Sequence, residues 1–167
     1  AGCTFEIIFR VAFASLVRDW KQNPLISCGG EEGNAGFELC LTSSCALVLR
    51  LVFNDDDEEH LVAHDTPTDM RRPWSVWLHA TIQVKGHQWS LFMNGQHAAQ
   101  YETPEGRDFP SCEGFIVSLA HTLLPPGDGQ VGMMVHDFRI THAALEPASF
   151  QMRPHGEGSG RGSCPSA

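Results

Sequence analysis

Apolar residues recur at every second position through much of this chain, the spacing that lines up one face of a pleated strand. The pattern is cleanest between Pro73 and Tyr101. Ala80, Ile82 and Val84 alternate there with Thr81, Gln83 and Lys85, in a strand expected to begin at Trp77. A turn at Lys85-Gly86-His87-Gln88 follows, and then Trp89, Leu91 and Met93 alternate with Ser90 and Phe92. Asn94-Gly95 predicts a type I′ hairpin into Gln96–Tyr101, because both central residues of that turn need positive φ.

The same period runs through the rest of the chain. Phe5, Ile8, Phe9, Ala12 and Leu16 would fit a helical stripe, but Phe5, Ile7, Phe9, Val11 and Phe13 alternate strictly and are all β-branched or aromatic, which favours a strand. Asn23-Pro24 breaks the chain before a short strand near Leu25–Cys28. Phe37, Leu39 and Leu41, then Leu47, Leu49, Leu51 and Phe53, predict two strands joined through Thr42–Cys45 and facing one core. A brief strand at His60–His64 and two more at Gly114–Ala120 and Val131–Thr141 complete the set. Many short strands without a long helix predict an all-β, antiparallel two-sheet β-sandwich of jelly-roll, concanavalin-A-like type. The domain is expected over 1–151, and from 152 to 167 the composition turns to Gly, Ser, Pro and Arg, as in an extended tail.

Composition narrows the partners. With 167 residues the chain suits one domain, long enough to bury roughly 70% of its unfolded surface. A net charge of −9 opposes nucleic acid, whose phosphates it would repel. No apolar run reaches the roughly 20 residues of a membrane span. The chain begins at Ala1, as a processed protein or a segment of a longer one would, so flanking domains or subunits are expected.

Six cysteines, none in a C-x-x-C pair, read as a disulfide framework rather than a zinc site. Sequence does not choose among the connectivities. Cys40 with Cys45 across a hairpin turn and Cys3 with Cys164 at the two ends are the pairs favoured; buried reduced thiols are the competing reading. A disulfide framework implies an extracellular or secretory-lumen location.

Two blocks carry a family resemblance. Trp77-Leu78-His79-Ala80-Thr81-Ile82 followed by Leu91-Phe92-Met93-Asn94-Gly95 resembles the W-x-H-x-A…N-G signature of laminin-G-like, concanavalin-A-like jelly rolls. The later block, from Val135 to Leu145, resembles that family's closing segment, and the likeness spans residues 3 to about 150. It implies a binding module for glycan or protein, often with calcium and sometimes hydrolytic. In such a sandwich Trp77 and Phe92 would fill the space between the sheets, while Asp137 and Arg139 would pair on one face.

Candidate chemistry is sparse. Asp55-Asp56-Asp57-Glu58-Glu59, with Asp65 and Asp69 beyond, is rich in the hard oxygens calcium takes, and Asp55, Asp57 and Asp65 are its candidate ligands. A solvated hairpin tip explains the same acids, and the EF-hand spacing is absent. His60 and His64 stand four apart, but Leu61 occupies the position of the catalytic Glu in H-E-x-x-H. His79 reads as a packed, hydrogen-bonded residue. The G-x-G-x-x-G spelled by Gly127–Gly132 leads into a strand, where no helix N-terminus could cradle a phosphate. No G-x-S-x-G elbow and no E-x-D-x-x-E carboxylate set occurs. Trp20 and Trp74, beside loops, are the candidate ligand platforms.

The expectation is therefore a non-enzymatic module that binds glycan or protein through rim loops. A scaffold subunit of a larger assembly and a glycan-cleaving enzyme are the alternatives.

Overall fold

A computed structural model describes residues 2–11, 16, 18–29, 35–44, 46–53, 57–63, 77–104, 116–121, 123 and 130–150. The described strands are β1 (Gly2–Val11), β2 (Pro24–Gly29), β3 (Gly36–Leu41), β4 (Leu47–Val52), β5 (Glu58–Ala63), β6 (Leu78–Lys85), β7 (Gln88–Met93), β8 (Gln96–Glu102), β9 (Ile116–Leu119) and β10 (Met133–Thr141). They form two antiparallel five-stranded sheets, sheet A in the order β10-β1-β6-β7-β8 and sheet B in the order β5-β4-β3-β2-β9. The chain is thus an all-β sandwich. Its only described helical turns are two of 3-10 type, Trp20–Gln22 and Pro147–Ser149, and among the described residues no helix is long and apolar enough to cross a membrane.

Strict alternation builds the interior. Phe5, Ile7, Phe9 and Val11 of β1, Leu78, Ala80 and Ile82 of β6, and Trp89, Leu91 and Met93 of β7 face Phe37, Leu39 and Leu41 of β3 and Leu47, Leu49 and Leu51 of β4 in one cluster. Phe37 joins the layers through edge-to-face contacts with Phe5 at 4.8 Å and Trp89 at 5.6 Å. Such pairs contribute about 1 kcal/mol each beyond the area they bury. The Asn94-Gly95 hairpin forms as expected, with φ of 48° and 76°. At Gly36 a Cβ would lie 2.0 Å from the Cys28 carbonyl oxygen, so only glycine permits the close β2–β3 pairing.

Two expectations about the interior are overturned. Trp77 and Phe92 do not fill the space between the sheets; both lie on the outer face of sheet A. The parity is decisive: Leu78, Ala80 and Ile82 point inward, so Trp77 and His79 point outward, and Leu91 and Met93 do the same to Phe92. Trp77 lies beneath the Arg10 guanidinium, 4.1 Å from the ring centroid, and beside His136 at 5.4 Å. Phe92 packs against Phe150 and His97.

The chain after β10 crosses that outer face as a strap. Thr4 Oγ1 donates to the Ala143 carbonyl at 2.7 Å and accepts from the Leu145 amide at 3.1 Å. Gln83 donates to the Leu145 carbonyl. Phe150 then buries itself against His79 and Phe92. The expected tail, 152–167, lies outside the described residues.

Candidate functional site

The outer face of sheet A carries a shallow recess lined by Glu6, Ile8, His79, Asp137 and Arg139. Its construction follows from strand register. Even positions of β1 point outward, and β1 sits between β10 and β6, so Ile8 stands between Asp137 and His79, and Glu6 between Arg139 and Thr81. Two adjacent cross-strand rows therefore bring together residues more than 130 positions apart in the chain. The Arg10–Trp77–His136 stack lies at one end of the recess, where β1 and β6 continue past Ile8 and His79. Phe150 of the strap lies near His79 on another side.

The floor is buried and the wall is open. Glu6 and His79 are nearly sealed from solvent, whereas the side chains of Asp137 and Arg139 are 43% and 37% exposed. His79 Nε2 lies 3.3 Å from Glu6 Oε1 and 3.3 Å from Thr81 Oγ1. Burial lowers the pKa of His79 below its ordinary value, and Glu6 opposes that shift without cancelling it. The ring is thus neutral at pH 7. A carboxylate only accepts, so the proton sits on Nε2 and Nδ1 is left as an acceptor. Among the described residues Nδ1 has no hydrogen-bond partner. On the wall, Arg139 donates to Asp137 at 3.1 Å, the i,i+2 pairing expected from sequence.

The outer face of sheet B is built differently. Here one row of register partners crosses the sheet: Ser118, Ser27, Glu38, Arg50 and His60. The Leu123 amide donates to Ser27 Oγ at 2.8 Å, and Ser27 donates to Glu38 at 2.8 Å. Arg50 donates to Glu38 at 2.9 Å and also to Glu58, which Lys21 holds at 2.6 Å. Partial burial works against ionisation of Glu58, but the hydrogen bonds and charges of Arg50 and Lys21 prevail and hold its carboxyl at about 2. Burial likewise disfavours the charged guanidinium of Arg50, and bonds to Glu58 and Glu38 outweigh it and raise its pKa.

Trp20, one of the two expected ligand platforms, belongs to this second face. It is half-buried and meets the exposed His60 edge-to-face at 5.0 Å, with Lys21 Nζ 5.9 Å from its ring. Trp74 lies outside the described residues. So do Asp55 and Asp65 of the expected calcium ligands; Asp57 is exposed, and its carbonyl accepts from the Phe53 amide. Among the described residues no three His, Cys, Asp or Glu side chains come together as a metal cage. Of the disulfide candidates, Cys45 and Cys164 lie outside the described residues and Cys3 is half-buried on β1. Cys40 is a free thiol with no exposed surface, so the bridge expected to Cys45 is not made in this structure. Its place explains why: Cys40 stands within the ladder opposite Val48, on the side of β3 covered by the Asp19–Asn23 segment. Burial, and then Glu38, raise its pKa well above the ordinary thiol value.

Sequence reasoning found Asp137 and Arg139 as a pair and His79 as a packed residue, but it did not bring them together. Glu6 went unremarked. The available signal was its place in β1, a carboxylate between isoleucines and phenylalanines on the outward parity of a buried strand.

No family model and no curated protein sequence matches the chain. Its fold is nevertheless shared with solved structures. The CBM40 of the Ruminococcus gnavus IT-sialidase, solved bound to α2,3-sialyllactose, superposes with a TM-score of 0.64 at 17% identity, over 88% of this chain and 79% of that one. A second structure of the Ruminococcus gnavus IT-sialidase CBM40 gives 0.65 at 16% identity, over 87% and 78%. The binding domain of botulinum neurotoxin DC, solved in complex with SialylT, gives 0.62 at 15% identity, over 88% of this chain but only 33% of that one. The chain shares their β-sandwich architecture.

Proposed function

We propose that this chain is a non-catalytic glycan-binding module and that the recess on sheet A is its binding site. The observation that carries this reading is a half-exposed Asp137–Arg139 pair set over the buried, neutral His79, beside a partly exposed Trp77. Polar groups at fixed positions and a nearby aromatic face are what a sugar needs, since hydroxyls require directional partners and the ring's C–H faces require an apolar surface. The shared architecture with structures solved in complex with sialyllactose and SialylT supports the class. The W-x-H-x-A and N-G blocks support kinship with the laminin-G-like, concanavalin-A-like superfamily, and with it an extracellular location.

A glycan array run with the wild type, Arg139→Ala and Trp20→Ala, each in calcium and in chelator, tests the proposal. Binding lost in Arg139→Ala and kept in Trp20→Ala places the ligand in the recess. The reverse result moves it to the sheet B face, and no binding by the wild type overturns the reading. Dependence on chelator would assign a role to the Asp55–Asp57–Asp65 set. Glu6 and Asp137 put two carboxylates in one recess, so release of reducing ends from a bound glycan would replace a binding module with a hydrolase.

A scaffold role has its own observation. Ile116 of β9 and Met134, Val135 and Ile140 of β10 are large apolar side chains 38–53% exposed on strands that end their sheets on the same side of the sandwich. Light scattering that finds a stable oligomer, together with an empty glycan array, would favour that role.

A further inference from the structure

Sheet A ends in two unlike edges. At one, β8 meets β5 of sheet B and exposes Gln96, His97, Gln100 and Glu102. At the other, β10 pairs with β1 alone among the described residues. It carries Met134, Val135 and Ile140, three of the four large apolar side chains that are exposed among those residues. A sheet edge offers backbone N–H and C=O groups to any strand that can lie beside it, and proteins commonly blunt it with Lys, Pro or a bulge. β10 holds neither Lys nor Pro. Its one irregularity, at the Ile8/Phe9 step opposite residues 135–137, leaves residues 137–141 regular. Along that stretch Asp137 and Arg139 point to the outer face, while Phe138 and Ile140 stand opposite Ile7 and Phe5 on the inner one.

We infer that β10 pairs edge to edge with β10 of a second copy of this chain, about a two-fold axis level with Phe138, so that each Asp137 lies opposite the partner's Arg139. Directly opposite residues of an antiparallel pair share a face, so such an axis can stand level only with a single residue. Level with Asp137 or with Arg139, it would set like charges directly against each other, which destabilises a pair. Level with Phe138, it sets acid against guanidinium on both sides of the axis and places each Ile140 diagonal to the partner's Phe138. Levels nearer Thr141 pair fewer residues, because the strand ends there and the strap turns away across sheet A. The edge is thus complementary to itself in charge and in apolar character, as an isologous contact requires, and that contact closes at two copies. The two five-stranded A sheets become one continuous sheet with both recesses on the same face. The inference does not rest on what the recess binds.

Sedimentation velocity on the full chain tests this. One short strand buries little area, so the wild type should pass from monomer to dimer within roughly the micromolar range, between about 1 and 300 μM. Arg139→Asp alone and Asp137→Arg alone each set like charges across the axis, and each should weaken the dimer at least about tenfold. Mixed in equal amounts, the two variants should restore it, since every charge then meets its opposite. Ile140→Lys, at an exposed position outside the recess, should also weaken the dimer severalfold. Near-ultraviolet circular dichroism of each variant should match the wild type; if a charge variant misfolds, Ile140→Lys carries the test. A wild type that stays monomeric through that range overturns the inference, as does assembly beyond a dimer. So does a dimer unchanged by Ile140→Lys, or a mixture of folded charge variants no more associated than either alone.

Discussion

The two outer faces of the sandwich hold nearly the same kit, carboxylates with an arginine and a histidine, and use it for opposite ends. On sheet B, Arg50 spans Glu38 and Glu58, and Ser27 and Lys21 take up further carboxylate oxygens. Arg50 and Glu38 are sealed from solvent, so that row is spent on itself. On sheet A, Arg139 and Asp137 meet through one bond, and both side chains remain substantially exposed. The lesson is that residue type does not separate a structural network from a site. What separates them is how much hydrogen-bonding capacity the fold leaves unused, and how much of it water or a ligand can reach.

The largest test of this contrast is Arg50→Ala. Removing the guanidinium leaves Glu38 as a buried carboxylate without its counter-charge, and breaking such a pair costs about 3–5 kcal/mol. Urea unfolding should show that loss. A second variant, Arg50→Met with Glu38→Leu, separates pairing from charge burial: replacing both partners with apolar groups should recover most of the stability. If Arg50→Ala unfolds at the wild-type urea midpoint, the sheet B row is not structural and the contrast fails.

Much of the fold was legible because alternation is a local signal. Phe5 to Val11, Phe37 to Leu41 and Leu47 to Phe53 each state which residues point inward, and Asn94-Gly95 fixes a hairpin by turn chemistry alone. The errors at Trp77 and Phe92 came from letting residue size outweigh parity, since Ala80 and Ile82 already placed Trp77 on the other face. The site was legible only in pieces. Asp137 and Arg139 pair at i,i+2 within one strand, but nothing local states that β10 lies beside β1. That pairing is a choice of topology, and it alone sets Glu6 and Ile8 between Arg139, Asp137 and His79. The strap that carries Phe150 onto His79 was equally invisible, because its bonds from Thr4 and Gln83 to backbone carbonyls follow no residue pattern.

A smaller effect separates the faces by pH. His79 is held neutral with a lowered pKa, so the unfolded chain binds the extra proton first, and stability should begin to fall as pH drops below about 6.5. Glu58, held at about 2 against an ordinary 4.5, contributes stability that is complete above 4.5 and lost as pH falls toward 2. The urea midpoint measured from pH 7 downward should therefore decline in two windows. His79→Gln should flatten the upper one and Glu58→Gln the lower one. Swapped assignments, or a single window removed by either variant, would mean that the two faces titrate as one unit.

The smallest stability effect belongs to Arg139→Ala, and there the contrast is sharpest. A half-exposed ion pair with one 3.1 Å bond is screened by water on both sides, and such pairs contribute about 0–1 kcal/mol. Removing this arginine should therefore shift the urea midpoint by an amount close to the error of the measurement, several times less than the change at Arg50. Yet among the described residues Arg139 is the only cationic side chain lining the recess, so the same substitution should remove most of the ligand binding. An arginine whose loss costs the fold almost nothing and the ligand nearly everything is held by its neighbours for a purpose outside the fold. A loss of stability at Arg139→Ala as large as at Arg50→Ala would show instead that the sheet A pair is another internal brace, and the recess would lose its claim as a site.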